Sequence, residues 1–135
     1  MPKNFLSKTY PDLGLLIIRI GIGATMFQYG WPKITGGADI WQDLGNNMKV
    51  TGITFLPVFW GFCAAIAETL GALLFAAGLF FRPAVLLLWF TMLIAVLANM
   101  QDSTSFNNWA HPAELGVVFF GLMFTGAGKY VLKFG

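Results

Sequence analysis

The sequence predicts an all-α integral membrane protein, a four-transmembrane-helix bundle with a short interfacial amphipathic helix between spans one and two. Two observations carry this. Of the 135 residues, 57% are hydrophobic and only 10% charged, with a mean hydropathy of +0.71. Soluble domains carry about 25% charge, so this chain has too few charges to clothe a water-facing surface. The apolar residues also fall into four stretches, near residues 13–31, 58–81, 84–100 and 112–128. Each approaches the roughly 17–25 residues that cross a hydrocarbon core as a helix. Together they fill residues 1–135 as a single domain, with no room for a separate soluble one.

The first stretch starts well as a helix, with Pro11 in the first turn and Asp12 near the positive end of the helix dipole. Lys3 and Lys8 before it resemble a charged leader, but Arg19 interrupts the apolar run and no small-x-small cleavage site follows Phe27, so it reads as a retained span. Arg82-Pro83 predicts a tight turn that makes spans two and three antiparallel neighbours. Residues 101–111 join spans three and four, with Pro112 opening the last span. The long connection Ile34–Pro57 carries Ile40, Trp41, Leu44 and Met48 at helical spacing, between Asp39, Gln42, Asp43 and Asn46. This is the pattern of an amphipathic helix, either a plain interfacial anchor or a lid over a site in the bundle.

Lysine and arginine set the orientation. Lys3, Lys8, Arg82, Lys129 and Lys133 lie on one side, and only Lys33 and Lys49 on the other, beside Asp39, Asp43 and Asp102. The positive-inside rule places both termini in the cytoplasm. The net charge of +2 then reflects topology, not a nucleic-acid footprint, and the lipid bilayer is the first partner. Glycines on spans one, two and four mark close helix contacts. The face of span two that carries Glu68 also holds Gly61, Ala64, Ala65, Gly71 and Ala72, so Glu68 points into the bundle. Span three, nearly free of glycine, is expected to be the more lipid-exposed.

Ionisable groups at membrane depth are expensive and usually functional. Arg19 and Glu68 are therefore the first candidates, each the other's expected partner, as a proton or anion site or as a pair that fixes packing. Gly23, Met26, Gly30 and Lys33 follow Arg19 on one helix face. Lys33, His111 and Glu114, with Asn99 at a similar level, outline a polar path toward Glu68. Trp31, Trp60 and Trp109 cluster with Trp41 at the outer interface, either as an aromatic belt or as the mouth of a site for a flat ring. His111 before Pro112 also fits an interfacial helix cap. His111 and Glu114 alone are too few for a catalytic metal site, and no metal is expected. Cys63 is the only cysteine, which excludes a disulfide within the chain. There is no phosphate loop, dinucleotide fingerprint or haem-attachment motif, so no covalently bound cofactor is expected.

Several short motifs, in their order and spacing, resemble the DoxX family. They are Arg19-x-Gly21 and Gly30-Trp31-Pro32-Lys33 around the first span, Glu68 with Gly71, Gly78-Leu79 and Arg82-Pro83-Ala84, then Glu114 and Gly126-Ala127-Gly128-Lys129-Tyr130. The resemblance spans about residues 13–130. It departs at Tyr29, where the family often has histidine, and at Val131-Leu132-Lys133, where the family closes with Ser-Leu-Asp. It implies a four-helix protein of the bacterial inner membrane, associated with membrane redox and oxidative-stress systems.

Three functions compete on these grounds. The leading one is a redox-associated subunit that interacts with quinone or a similar lipid-soluble ring compound, working as a homo-oligomer or with a membrane or soluble redox partner. The second is a small transporter or permease subunit, which would need an oligomer to enclose a pathway. The third is a non-catalytic membrane anchor or assembly factor. Whether the chain is an enzyme stays open among them.

Overall fold

A computed structural model describes residues 9–102 and 106–131. Lys3, Lys8 and Lys133, on which part of the orientation argument rests, lie outside them, as does Leu132. The described chain is helical, and five α-helices follow one another: α1 (Pro11–Thr35), α2 (Ala38–Gly45), α3 (Pro57–Ala77), α4 (Phe81–Asp102) and α5 (Phe106–Thr125), with a 3-10 segment at Asn46–Thr51. Three of them, α1, α3 and α4, are long and apolar enough to cross a membrane. α5 has a comparable 20 residues, but its first half carries Asn107, His111 and Glu114.

Several boundaries move for identifiable reasons. α1 passes Pro32 and ends at Thr35, because an internal proline removes only one ladder bond, whereas Gly36-Gly37 supplies the stop, with Gly37 at φ +86°. The turn between α3 and α4 is Gly78-Leu79-Phe80, not Arg82-Pro83. Gly78 takes the left-handed C-cap at φ +78°, where the backbone N–H groups of Gly78 and Leu79 close back on the Phe75 and Leu74 carbonyls. Arg82 and Pro83 lie in the first turn of α4, a position that tolerates proline. Likewise α5 begins before Pro112, so His111 lies within the helix and does not cap its start.

The long helices pack in the order α1, α3, α4, α5, each against the next. Phe75 of α3 is fully buried at the centre. Its ring stacks on Phe81 of α4 at 5.5 Å and meets Phe119 of α5 edge-on at 5.4 Å. Met26, Val85, Leu88, Met92 and Leu122 complete this core. The expectation that the glycine-poor third span faces lipid most is corrected here. In the membrane-length windows 33% of α4 is buried against 22% of α1, because Phe81, Val85, Leu88 and Met92 interlock as large side chains without needing glycine.

Where backbones do approach closely, glycine is required. The buried residues of α1 are Arg19, Gly23, Met26 and Gly30, the face read from the sequence. A Cβ at Gly23 would lie 2.8 Å from that of Ala76, and one at Gly30 would collide with Thr69. α2 folds down along the first half of α3 through two reciprocal contacts. A Cβ on Gly45 would overlap the Pro57 carbonyl, and one on Gly61 would overlap the Trp41 carbonyl. The Trp41 ring then sits edge-on to Phe62 at 4.8 Å, and its indole N–H donates to the Lys33 carbonyl at 3.0 Å.

Gly61→Ala should therefore lower stability by about 1–3 kcal/mol, the usual penalty for overpacking. Gly21→Ala, at a helical position with nothing within 4 Å, should be neutral or stabilising. Thermal unfolding of both variants in mild detergent checks the contrast.

Candidate functional site

The expected Arg19–Glu68 pair does not form. Arg19 is 1% exposed, and its guanidinium donates to four backbone carbonyls: Phe75 (3.3 Å) and Ala76 (2.9 Å) in the last turn of α3, and Ala127 (3.3 Å) and Tyr130 after α5. The last carbonyls of a helix have no partner within it and carry the negative end of its dipole, so a buried cation is well placed there. Arg82 does the same for α5, its Nε–H donating to the Met123 carbonyl at 3.0 Å. On α1, an Asp12 carboxylate oxygen accepts the Lys129 backbone N–H at 3.1 Å. These contacts clasp the helix ends and the segment after α5 together.

Glu68 lies two helical turns before Phe75 on α3 and pairs with Lys33. The ammonium reaches Oε2 at 2.7 Å, with the glutamate side chain 5% and the lysine side chain 35% exposed. Lys33 occupies the last turn of α1, on the same stripe as Arg19, and its backbone is held by Trp41. Oε1 of Glu68 takes no hydrogen bond among the described residues.

Beside this pair is a cavity of about 300 Å3. Among the described residues, Lys33 and Glu68 are the only charged ones in its lining. Trp60, Cys63, Ala64 and Ala67 of α3 form one wall and Leu87, Phe90, Thr91, Met92, Ile94 and Ala95 of α4 the other. Leu44 of α2 and Asn47 and Met48 of the 3-10 segment cover it. Through these three residues the connection between α1 and α3 forms a roof over the cavity. The buried indole N–H of Trp60, on the cavity wall, has no acceptor among the described residues.

Of the residues singled out from the sequence, the structure brings Glu68, Lys33 and Trp60 together. It places the others elsewhere. Arg19 is at the helix-end clasp. His111 is exposed and meets the Tyr29 ring at 5.9 Å, linking α1 to α5. Glu114 is exposed, Asn99 is half-buried on α4 and outside the cavity lining, Trp31 stacks on Phe27, and Trp109 packs against Phe106. The polar path from His111 and Glu114 to Glu68 is thus not assembled in the single chain. Asn47 and Thr91 line the cavity without having been singled out. Asn47 carried no usable signal, because it belongs to the 3-10 segment, where helical spacing changes.

The DoxX family model matches residues 14–100, which includes α1 from Gly14, the roof, α3 and nearly all of α4. The whole cavity lining falls within that match. The motifs around Glu114 and residues 126–130 lie beyond it. Neither the curated proteins nor the solved structures give a match.

Arg19→Ala should remove this donor from the Ala76, Ala127 and Tyr130 carbonyls and lower stability by about 1–3 kcal/mol. Arg19→Lys, with one point charge in place of a planar fork, should recover less than half of that. Thermal unfolding measures both.

Proposed function

The chain belongs to the DoxX family, and from that premise we propose that its cavity binds the ring of a quinone-class lipid and exchanges protons with it as part of a membrane redox system. The observation that carries this reading is the Lys33–Glu68 ion pair, the one charged pair among the described residues that line a largely apolar cavity. A neutral ion pair leaves a charged ligand uncompensated, whereas a neutral ring with exchangeable oxygen functions finds both a donor and an acceptor. The lysine ammonium has three protons and gives one to Glu68. The others can be donated to a ring carbonyl, while Oε1 of Glu68 accepts from a ring hydroxyl. The orphaned Trp60 N–H is a further donor at the same wall.

A bound quinone supplies a carrier of two electrons and two protons. This chain's share is to bind the ring, screen it from water beneath the roof, and hold or release a proton at the Glu68 carboxylate. Electrons come from a redox partner, membrane-bound or soluble. In this reading α5 completes a bundle of four spans, the α2 roof lies in the outer interface, and both termini face the bacterial cytoplasm.

Organic extraction and mass spectrometry of protein purified in mild detergent test the proposal. Wild type should carry near-stoichiometric quinone, and Glu68→Gln and Lys33→Met should each lose most of it while staying folded. Bulk phospholipid alone in wild type would overturn the proposal.

A further inference from the structure

A roofed cavity inside a membrane bundle needs an entrance, and the structure supplies one; the route rests on the quinone reading only for the identity of the ring. Two sides of the cavity are closed. Toward the α2 end, the roof is fastened by the Gly45–Pro57 and Gly61–Trp41 backbone contacts and by the Trp41–Lys33 hydrogen bond. Toward the other end, the lining residue Met92 belongs to the packed core around Phe75. The remaining side lies between α3 and α4, where the lining residues Cys63, Leu87 and Phe90 are exposed. At about 1.5 Å per residue, Cys63 is roughly 9 Å from the start of α3, and Leu87 and Phe90 are at least that far from the ends of α4. Both helices are of membrane-crossing length and apolarity. The slot therefore opens at hydrocarbon depth, not at an aqueous face.

We infer that the cavity is loaded sideways from the bilayer, through the slot between α3 and α4, by a lipid whose ring enters while its long apolar tail stays outside among the acyl chains. The volume argues for the same division. About 300 Å3 is at the bottom of the range of about 300–1,000 Å3 for small-molecule sites, enough for a ring and too little for its tail as well. The lining has the same polarity gradient, with the buried Glu68 carboxylate inside and Leu87 and Phe90 at the mouth. A tail left in lipid keeps its own solvation, so only the ring must exchange bilayer for protein.

Cys63, the chain's one cysteine, stands at the mouth and serves as a native reporter of access. Wild-type protein in liposomes is labelled either with pyrenyl maleimide, which partitions into the bilayer, or with a sulfonated maleimide, which does not. Both reagents meet the same thiol and hence the same thiolate fraction, so the ratio of their rates reports access, and the bilayer reagent should be faster by at least about tenfold. Labelling is then repeated with decylubiquinone, whose ring carbons are all substituted and cannot take up the thiol, and with the analogue bearing methyl in place of decyl. At ten times its Kd, the tailed compound should slow labelling about tenfold, and the methyl analogue should protect far less at the same concentration.

Equal or faster labelling by the sulfonated reagent would overturn the sideways route, as would equal protection by the tailless analogue. If neither quinone protects or binds while labelling still comes from the bilayer, the route stands and the quinone assignment falls. If a quinone binds while Cys63 reacts from water, the quinone assignment stands and the route falls.

Discussion

A guanidinium that is 1% exposed inside an apolar bundle must find its acceptors within the chain, and Arg19 finds them in the carbonyls at the C-terminal end of α3. The negative end of α3 needs donors, and the side chain from α1 needs acceptors. Joining the two solves both problems without a carboxylate. The same guanidinium gathers the Ala127 and Tyr130 carbonyls, so the segment after α5 is tied to the start of the bundle. Arg82 and Asp12 repeat the principle with other backbone groups. Once Arg19 is committed there, Glu68 cannot be its partner, and the only cation on the same stripe of α1 that reaches it is Lys33.

The two ends of the molecule consequently differ in kind. At the end that holds Arg19, polar groups are consumed by closing helix termini, and the aromatic cluster around Phe75 fills the space above them. At the other end, close backbone packing through Gly45 and Gly61 brings α2 down onto α3 and leaves a roofed cavity between α3 and α4. Glycine is needed at those two positions because a carbonyl occupies the place where a Cβ would be. The roof is thus a packed part of the structure, and its indole N–H holds the backbone of the very lysine that faces Glu68.

The sequence made the buried stripe of α1, the inward face of α3 and the helical nature of the connection readable, because each is a periodic pattern on a regular element. Lys33 was visible too, at the end of the stripe that begins with Arg19. The pairing was not readable from depth alone. Arg19 and Glu68 are both embedded charges of opposite sign, but backbone carbonyls compete for a guanidinium and leave no mark in a sequence. Arg82-Pro83 misplaced one boundary because proline is compatible with the first helical turn, whereas the actual stop after α3 is the left-handed Gly78, and Pro112 misplaced another because α5 continues through it as an internal proline. The cavity itself depends on how α3 and α4 diverge beneath the roof, which no local pattern records.

A closed aromatic layer below the cavity also bears on the choice among functions. A permease needs a path that can be opened to each side in turn. In the single chain, the space beside Glu68 is bounded on one side by Met92, a member of the packed core around Phe75, and on another by a roof fastened backbone to backbone. Opening both would mean breaking into the central core and separating backbones held as close as those at Gly45 and Gly61. A binding site for a membrane-dissolved ring requires neither. It needs a fixed cavity, a slot at hydrocarbon depth, and one donor–acceptor pair whose charges cancel when the site is empty. An ion pair in an apolar wall gains little stability from mere attraction, because desolvation offsets most of it. Its distinctive property is that each member can turn to a neutral partner without leaving an uncompensated charge behind, since the other remains within reach. That property suits a ligand that alternates between accepting and donating hydrogen bonds, and it is the physical reason to prefer Lys33–Glu68 as a binding pair over a packing pair.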